Sequence, residues 1–406
     1  MNAIFGSLSI LGFAILIWQW VAARRFPLHQ RSAERQPGAN AQFQPAVTLL
    51  KSLKGADAAT EDCLRSWFAQ NYGGETQILF GVISAEDPVC EIVRKLMREF
   101  PQRDAQLVVV PRLIGANAKV SKLAELEKSA KHEVLVVSDA DVRVPPDFLA
   151  NAVVPLGAPE VGLINCFYRL ANPATLAMQW EAIAMNADFW SQVLQSQTLK
   201  PLDFALGAVM LVRRRCLEEI GGFKSLADCL ADDYQLGNRI ARKGHRIVLC
   251  PIVVECWDPP MGWSAVWKHQ LRWARTIRVC QPAPYFFSIL SNAGFWALLW
   301  LIQGVALTLR ALHLHFSSAR YVFDVWDLNL HVGLLIGGLF ILARIGIASN
   351  LQRRLTQSSR HRRYLWLVPI KDVLHTAIWL CAFVGNRIEW RGQMYCLRRD
   401  GTLVRD

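Results

Sequence analysis

Val134-Leu135-Val136-Val137-Ser138-Asp139-Ala140-Asp141-Val142 is the stretch on which the reading of this chain turns. Four apolar residues, mostly β-branched, run into a serine and then two carboxylates two positions apart. A short apolar run bounded by polar residues predicts a buried strand. In open α/β sheets, ligands bind beyond the carboxyl ends of the strands, so Asp139 and Asp141 stand where a ligand would be met. Two acids spaced this way can turn toward one cation. Hard cations such as Mg²⁺ or Mn²⁺ take oxygen ligands, often one or two carboxylates completed by phosphate oxygens. The competing reading is a solvated turn with a helix N-cap, a place where Asp is common.

Outward from this stretch, β-branched runs alternate with helical patterns. Residues 46–50, 76–82 and 106–110 predict strands, and 88–100 and 118–131 predict helices. The first helix carries Val89, Ile92, Val93 and Leu96 on one face. The alternation predicts an α/β domain with a mostly parallel sheet covered by helices on both faces. Acids recur at two more places. Glu86 and Asp87 follow the second strand, and Asp232-Asp233-Tyr234 opens an amphipathic helix running through Leu236 and Ile240. Both have plain structural explanations: Asp87 before Pro88 suits a helix start, and paired acids suit the positive end of a helix dipole.

The rest of the chain points to a membrane. Of the 406 residues, 52% are hydrophobic and 19% charged, and the apolar ones gather in blocks. Residues 3–21 lack any charge and end in Trp18 and Trp20 before Arg24 and Arg25. About 20 such residues cross a bilayer, and with no basic start or small-residue cleavage site the run reads as an anchor rather than a signal peptide. Further blocks cover 286–309, 328–348 and 365–384. Arg344, near the end of the third, is expected to snorkel. The fourth is interrupted by Pro369, Lys371, Asp372 and His375, and a Lys371–Asp372 pair facing protein is its simplest account.

These blocks divide the chain into an anchor (1–23), a catalytic domain (24–285), a membrane region of two or three spans (286–385) and a basic tail (386–406). The net charge is +12, and Arg24, Arg25, Arg31, Arg35 and the basic loop 353–363 flank apolar blocks. The positive-inside rule then puts the catalytic domain in the cytosol. Counting spans puts the tail outside, yet it carries Arg387, Arg391, Arg398, Arg399 and Arg405, so its side stays open. No nucleic-acid-binding motif accompanies the basic charge. The ten cysteines form no Cys-x-x-Cys pair, which suits reduced thiols better than a zinc site or disulfides.

A helix expected to start near Trp263 carries His269-Gln270-Leu271-Arg272-Trp273, with Trp263, Val266, Trp267, Gln270 and Trp273 at helical spacing. An amphipathic helix lying on the membrane would look the same. Another helix, at 173–195, offers Trp180, Phe189 and Trp190 either as groove lining or as ordinary packing.

Taken in order, these residues resemble the ceramide glucosyltransferase family and its bacterial lipid glycosyltransferase relatives, which have the glycosyltransferase-A fold. The resemblance runs from the anchor through Leu50-Lys51-Ser52-Leu53-Lys54-Gly55-Ala56-Asp57, Glu86-Asp87-Pro88, Gly115-Ala116-Asn117-Ala118-Lys119, Asp139, Asp233-Tyr234 and Arg272-Trp273 to Trp390-Arg391-Gly392-Gln393-Met394-Tyr395. It implies inverting transfer of a hexose from UDP-glucose or UDP-N-acetylglucosamine to a membrane lipid hydroxyl. Asp87 would lie near the uracil and ribose, Asp139 and Asp141 would hold Mg²⁺ or Mn²⁺ at the diphosphate, and Asp233 would be the general base. Arg272, Trp273 and Lys119 would assist donor binding. The chain departs from the family in having His269 where Gln or Arg begins the Arg-Trp motif, and Gln270 points about 100° away on a helix. Ceramide and a hopanoid such as bacteriohopanetetrol are the acceptors to weigh, and a bacterial inner membrane is the expected setting. A processive polysaccharide synthase and a non-enzymatic nucleotide-sugar-binding membrane protein are the rivals. Oligomeric state is not indicated.

Overall fold

The 134–138 run is a strand, as its β-branching predicts, and every residue of it is buried. The computed structural model describes residues 2–31, 43–317, 326–390, 393–398 and 400–405. Arg35, Arg391, Gly392 and Arg399 lie outside the described residues. The chain forms two units: one of 26–175, 196–262 and 386–406, the other of 1–25, 176–195 and 263–385.

The first unit is built on an eight-stranded sheet. Its strands are β1 (Val47–Ser52), β2 (Thr76–Val82), β3 (Asp104–Val109), β4 (Val134–Ser138), β5 (Val142–Arg143), β6 (Val161–Leu170), β7 (Val209–Arg213) and β8 (Arg246–Cys256). They lie in the order β3-β2-β1-β4-β7-β6-β8-β5. The first four are parallel, and β8 is parallel to β6. The antiparallel members are β7, between β4 and β6, and β5, on the end of β8. The reversal at β7 matters for the site. It makes β7 start where β4 stops, so Asp139 N–H donates to the carbonyl of Ala208 at 3.2 Å.

Helix Val89–Glu99 buries Val89, Val93 and Leu96, the face its periodicity marks. Phe68, on helix Thr60–Phe68, stacks on Phe80 and Phe100 at 5.7 and 5.4 Å. Burial of each such side chain contributes about 1.5–3 kcal/mol. Helix Ala118–Ser129 starts at Asn117, whose side chain accepts from the Lys119 and Val120 amides.

The tail belongs to this same unit. It forms an antiparallel sheet of β9 (Arg387–Trp390), β10 (Gln393–Leu397) and β11 (Leu403–Arg405). Leu403 N–H donates to the Asp228 carbonyl at 2.7 Å, and Leu230 N–H to the Gly401 carbonyl at 3.3 Å. The tail thereby clips the segment that leads into helix Asp232–Arg242.

Among the described residues the second unit holds three helices long and apolar enough to cross a membrane: Ala3–Arg25, Ala293–Arg310 and Gly333–Thr356. The fourth apolar block is a helix of 17 residues, Leu367–Phe383, that buries Lys371 and Asp372. Arg344 does not snorkel. It is 4% exposed and joins a cluster of two cations and two anions. Its Nε and Nη2 donate to Asp372, and Nη2 also to Asp188, each at 2.9 Å. Lys371 bonds Asp188, and Asp372 at 3.3 Å. The desolvation of four buried charges makes mutual pairing the stable arrangement. Asp188 reaches it from a π-helical turn, Ala184–Phe189, that interrupts the expected 173–195 helix. Trp180 and Trp190 are 1% and 0% exposed, so they are packing residues and not groove lining.

Two measurements test this architecture. Deleting 393–406 is expected to raise amide exchange over 227–232 ahead of the strands, read by hydrogen–deuterium exchange. Arg344→Met leaves two carboxylates against one lysine and is expected to destabilise the protein by about 3–5 kcal/mol, read as a loss of thermal stability in detergent.

Candidate active site

Parallel strands put the ends of β1, β2 and β4 on one edge of the sheet, and the start of β7 joins them there. Four sequence-marked groups meet at this edge. Lys119 Nζ lies 2.7 Å from Asp139 Oδ1 and 3.2 Å from Asp232 Oδ2, and Asp233 follows Asp232 directly. Burial opposes the charge on Lys119, but Asp139 and Asp232 outweigh it and hold its pKa above the usual lysine range. The loop ahead of Lys119 is fitted to the same place. Asn117 Nδ2 donates to the Cys229 carbonyl at 2.8 Å and reaches Asp232 Oδ1 at 3.4 Å. A Cβ on Gly115 would sit 2.6 Å from the Ala227 carbonyl oxygen, so the backbone can approach this closely only without one.

Asp141 differs from Asp139. Among the described residues no ion pair reaches its carboxylate, which accepts a hydrogen bond from its own backbone N–H. Burial, then the charges of Asp139 and Asp258, push its pKa up to about 7. Asp258 follows β8, whose end pairs with β5, and Trp257 N–H donates to the Asp141 carbonyl at 3.0 Å. An acid pair in which one carboxylate is 40% exposed along its side chain and the other has no ion-pair partner among the described residues fits a hard divalent ion. Such an ion would supply the missing positive charge and leave positions open for phosphate.

Asp233 stands at the start of helix Asp232–Arg242. Burial, then Asp232, raise its pKa to about 6, while Lys119 opposes the rise. Its Oδ2 occupies the space a side chain at Gly207 would need, 2.6 Å from an ideal Cβ there. Asp87 has a separate set of partners. Its two oxygens accept from Gly55 N–H at 2.9 and 3.1 Å, and Oδ1 also from Val89 N–H at 3.1 Å. The plain helix-start explanation therefore holds, with a second task added: Asp87 ties the loop after β1 to the loop after β2. Gly55 takes φ +67° there, a conformation that favours glycine.

Arg272 and Trp273 lie on helix Trp263–Cys280, in the unit that carries the apolar helices. His269 Nδ1 is 2.7 Å from Glu181 Oε1, and Gln270 Nε2 donates to the same oxygen at 2.7 Å. The departure at position 269 thus comes with a fully buried carboxylate as partner. The His269 ring meets Trp273 edge-on at 4.9 Å.

Sequence reasoning missed Lys51, Asp232 as a partner of Lys119, Asp258 and Glu181. Lys51 had a signal. A lysine closing the apolar run Leu49-Leu50 on a central strand must either leave the core or find acceptors. Its Nζ donates to the Asp139 carbonyl at 2.6 Å and to Ser138 Oγ at 3.2 Å, and burial draws its pKa down to about 8. Glu181 had none, because its partners are 88 and 89 residues away.

Known proteins share this arrangement of elements. A mannosyltransferase from Pyrobaculum calidifontis, solved with GDP-mannose and Mn²⁺, superposes with a TM-score of 0.52 at 22% identity, over 92% of this chain and 99% of that one. The fold is glycosyltransferase-A. Ceramide glucosyltransferase 3 of Caenorhabditis elegans is 23% identical over 371 residues, 89% of this chain and 74% of its own. The β-monoglucosyldiacylglycerol synthase of Synechocystis is 26% identical over 237 residues, 57% of this chain and 47% of its own. The family model described as glycosyl transferase family 21 matches residues 5–403. Matched over nearly its whole length, the chain belongs to glycosyl transferase family 21.

Proposed function

We propose that this glycosyltransferase moves a hexose from a UDP-sugar to a hydroxyl of a membrane lipid, with inversion at the anomeric carbon. The observation that carries the reading is the meeting of the Asp139–Asp141 pair with the Asp232–Asp233 helix start through one buried lysine. Asp233 is the general base. Its raised pKa of about 6 makes it a better proton acceptor than an ordinary carboxylate while leaving it ionised near neutral pH. Asp139 and Asp141 hold Mg²⁺ or Mn²⁺, which when bound would neutralise charge on the departing diphosphate. Asp87 fixes the loops that receive the uridine. Lys119 takes part in donor binding on this unit, and the family resemblance implies the same task for Arg272 and Trp273, Arg272 through charge-assisted bonds to phosphate.

The acceptor is a lipid with a free hydroxyl. The relatives named for ceramide and for diacylglycerol support that class, and a hopanoid polyol remains the alternative. UDP-glucose and UDP-N-acetylglucosamine are the donors to test first.

The catalytic unit faces the cytosol, in a bacterial inner membrane. Support comes from Arg24 and Arg25 after the first apolar helix and from the tail. The tail shares a unit with the sheet, so both lie on one side of the bilayer. Ala293–Arg310 and Gly333–Thr356 make two crossings between them, and Leu367–Phe383, with its buried ions, stays on that side. The basic loop 353–363 and the basic tail then agree on orientation.

Asp233→Asn is expected to keep UDP-sugar binding and to lower turnover by about 10²–10⁴-fold; normal turnover in the folded variant would remove Asp233 from this role. The base must be ionised, so kcat/KM is expected to fall about tenfold per pH unit below about 6 and to level off above it. A profile flat down to pH 5 would contradict the assignment. Chelation is expected to stop UDP release from UDP-glucose in protein-containing membranes, and Mn²⁺ or Mg²⁺ to restore it.

A further inference from the structure

Among the described residues Lys119 is the one basic side chain that touches both halves of the candidate site, through Asp139 and Asp232. It is 7% exposed, and its helix start is fixed by the Asn117 cap. It is therefore a charge held in place. An ammonium has three N–H donors, and two are directed at Asp139 Oδ1 and Asp232 Oδ2. Asp141, two residues beyond Asp139, has no such ion-pair partner among the described residues. A divalent ion approaching the Asp139–Asp141 pair must therefore take up a carboxylate that already has a positive partner 2.7 Å away. Two positive charges so close repel strongly at the dielectric of a half-buried site. A diphosphate arriving with the metal changes the balance, because its oxygens accept from Lys119 while its charge offsets that of the metal.

We propose that Lys119 is a built-in counter-ion that makes the divalent cation and the nucleotide bind as a pair. Without nucleotide, Lys119 neutralises Asp139 and weakens metal binding; with nucleotide, it turns its donors to the diphosphate and leaves Asp139 to the metal. The inference deepens the proposed metal–diphosphate site and rests on it. Coupling of this kind is reciprocal, so UDP tightens metal binding by the same factor as metal tightens UDP binding.

Mn²⁺ binding to the full-length protein in detergent, followed by electron paramagnetic resonance with and without UDP, tests it. The wild-type protein is expected to bind Mn²⁺ weakly alone and about tenfold or more tightly with UDP. Lys119→Met is expected to bind Mn²⁺ alone about tenfold more tightly than wild type and to lose most of the tightening by UDP. Lys119→Arg keeps the charge and keeps the coupling. Asp232→Asn shifts Lys119 further onto Asp139 and is expected to weaken Mn²⁺ binding in the absence of UDP, an opposite change that remains readable if Lys119→Met fails to fold. Unchanged Mn²⁺ affinity in Lys119→Met, or wild-type affinity independent of UDP, overturns the counter-ion. Asp141→Asn separates the two levels of the argument. If it abolishes Mn²⁺ binding with UDP while Lys119→Met behaves as wild type, the site stands and the counter-ion falls. If Asp141→Asn binds Mn²⁺ and UDP normally, the metal site itself is wrong.

Discussion

Like charges held together at one sheet edge are the constraint around which the catalytic unit is organised. Beyond burial, Asp139 and Asp258 raise the proton affinity of Asp141, and Asp232 and Asp139 that of Asp233, and carboxylates this close would separate if the backbone allowed it. Two buried lysines oppose that. Lys119 joins the strand-end loop to the helix start through side chains, and Lys51 fixes the strand-end loop through the Asp139 carbonyl. Lys51 bonds the main chain and so leaves the Asp139 carboxylate to Lys119. The positions of the acids are set by the backbone, and their charges are only partly neutralised. Such a site has affinity for a cation before any specific ligand contact is considered.

The parts of this arrangement legible in the sequence were those with local causes. The Val134–Ser138 strand, the Asp232 helix start and the face of Val89, Val93 and Leu96 each follow from spacing within a dozen residues. The apolar blocks followed from composition in the same way. What escaped was long-range. The reversal of β7 depends on a 38-residue excursion after β6, which no periodicity marks. The partnership of Glu181 with His269 and that of Arg344 with Asp188 link residues more than 80 positions apart. The resemblance named Lys119 as a donor-site residue. Only the three-dimensional arrangement reveals that it is already engaged by two aspartates.

The unit with the apolar helices solves a related problem with a different balance. Arg344, Lys371, Asp188 and Asp372 are matched two against two in charge, and of their buried atoms Arg344 Nη1 has no hydrogen-bond partner among the described residues. Gly294 is part of that solution, since a Cβ there would lie 2.0 Å from Asp372 Oδ2. A neutral, closed set of charges suits an interior where unpaired ions are costly. It attracts nothing from outside and serves to hold the π-helical turn at Asp188 against helices Trp326–Thr356 and Leu367–Phe383. The contrast between the two clusters, one balanced and one left negative, is what separates a structural ion network from a candidate binding site in the same chain.

The same contrast bears on how substrate binding and folding stability are linked. A carboxylate whose proton affinity rises on folding disfavours the folded state at pH values where it is ionised. Asp141 and Asp233, raised to about 7 and about 6, therefore each work against the fold above those values and less so below them. The tail strands and the Asn117 cap hold the surrounding loops against this tendency. A ligand that brings positive charge to the strand end relieves it, and so stabilises the folded protein in proportion to its binding. On this account the acids were not made harmless by pairing each with its own lysine, because a fully neutralised edge would have nothing left to offer a metal–nucleotide pair.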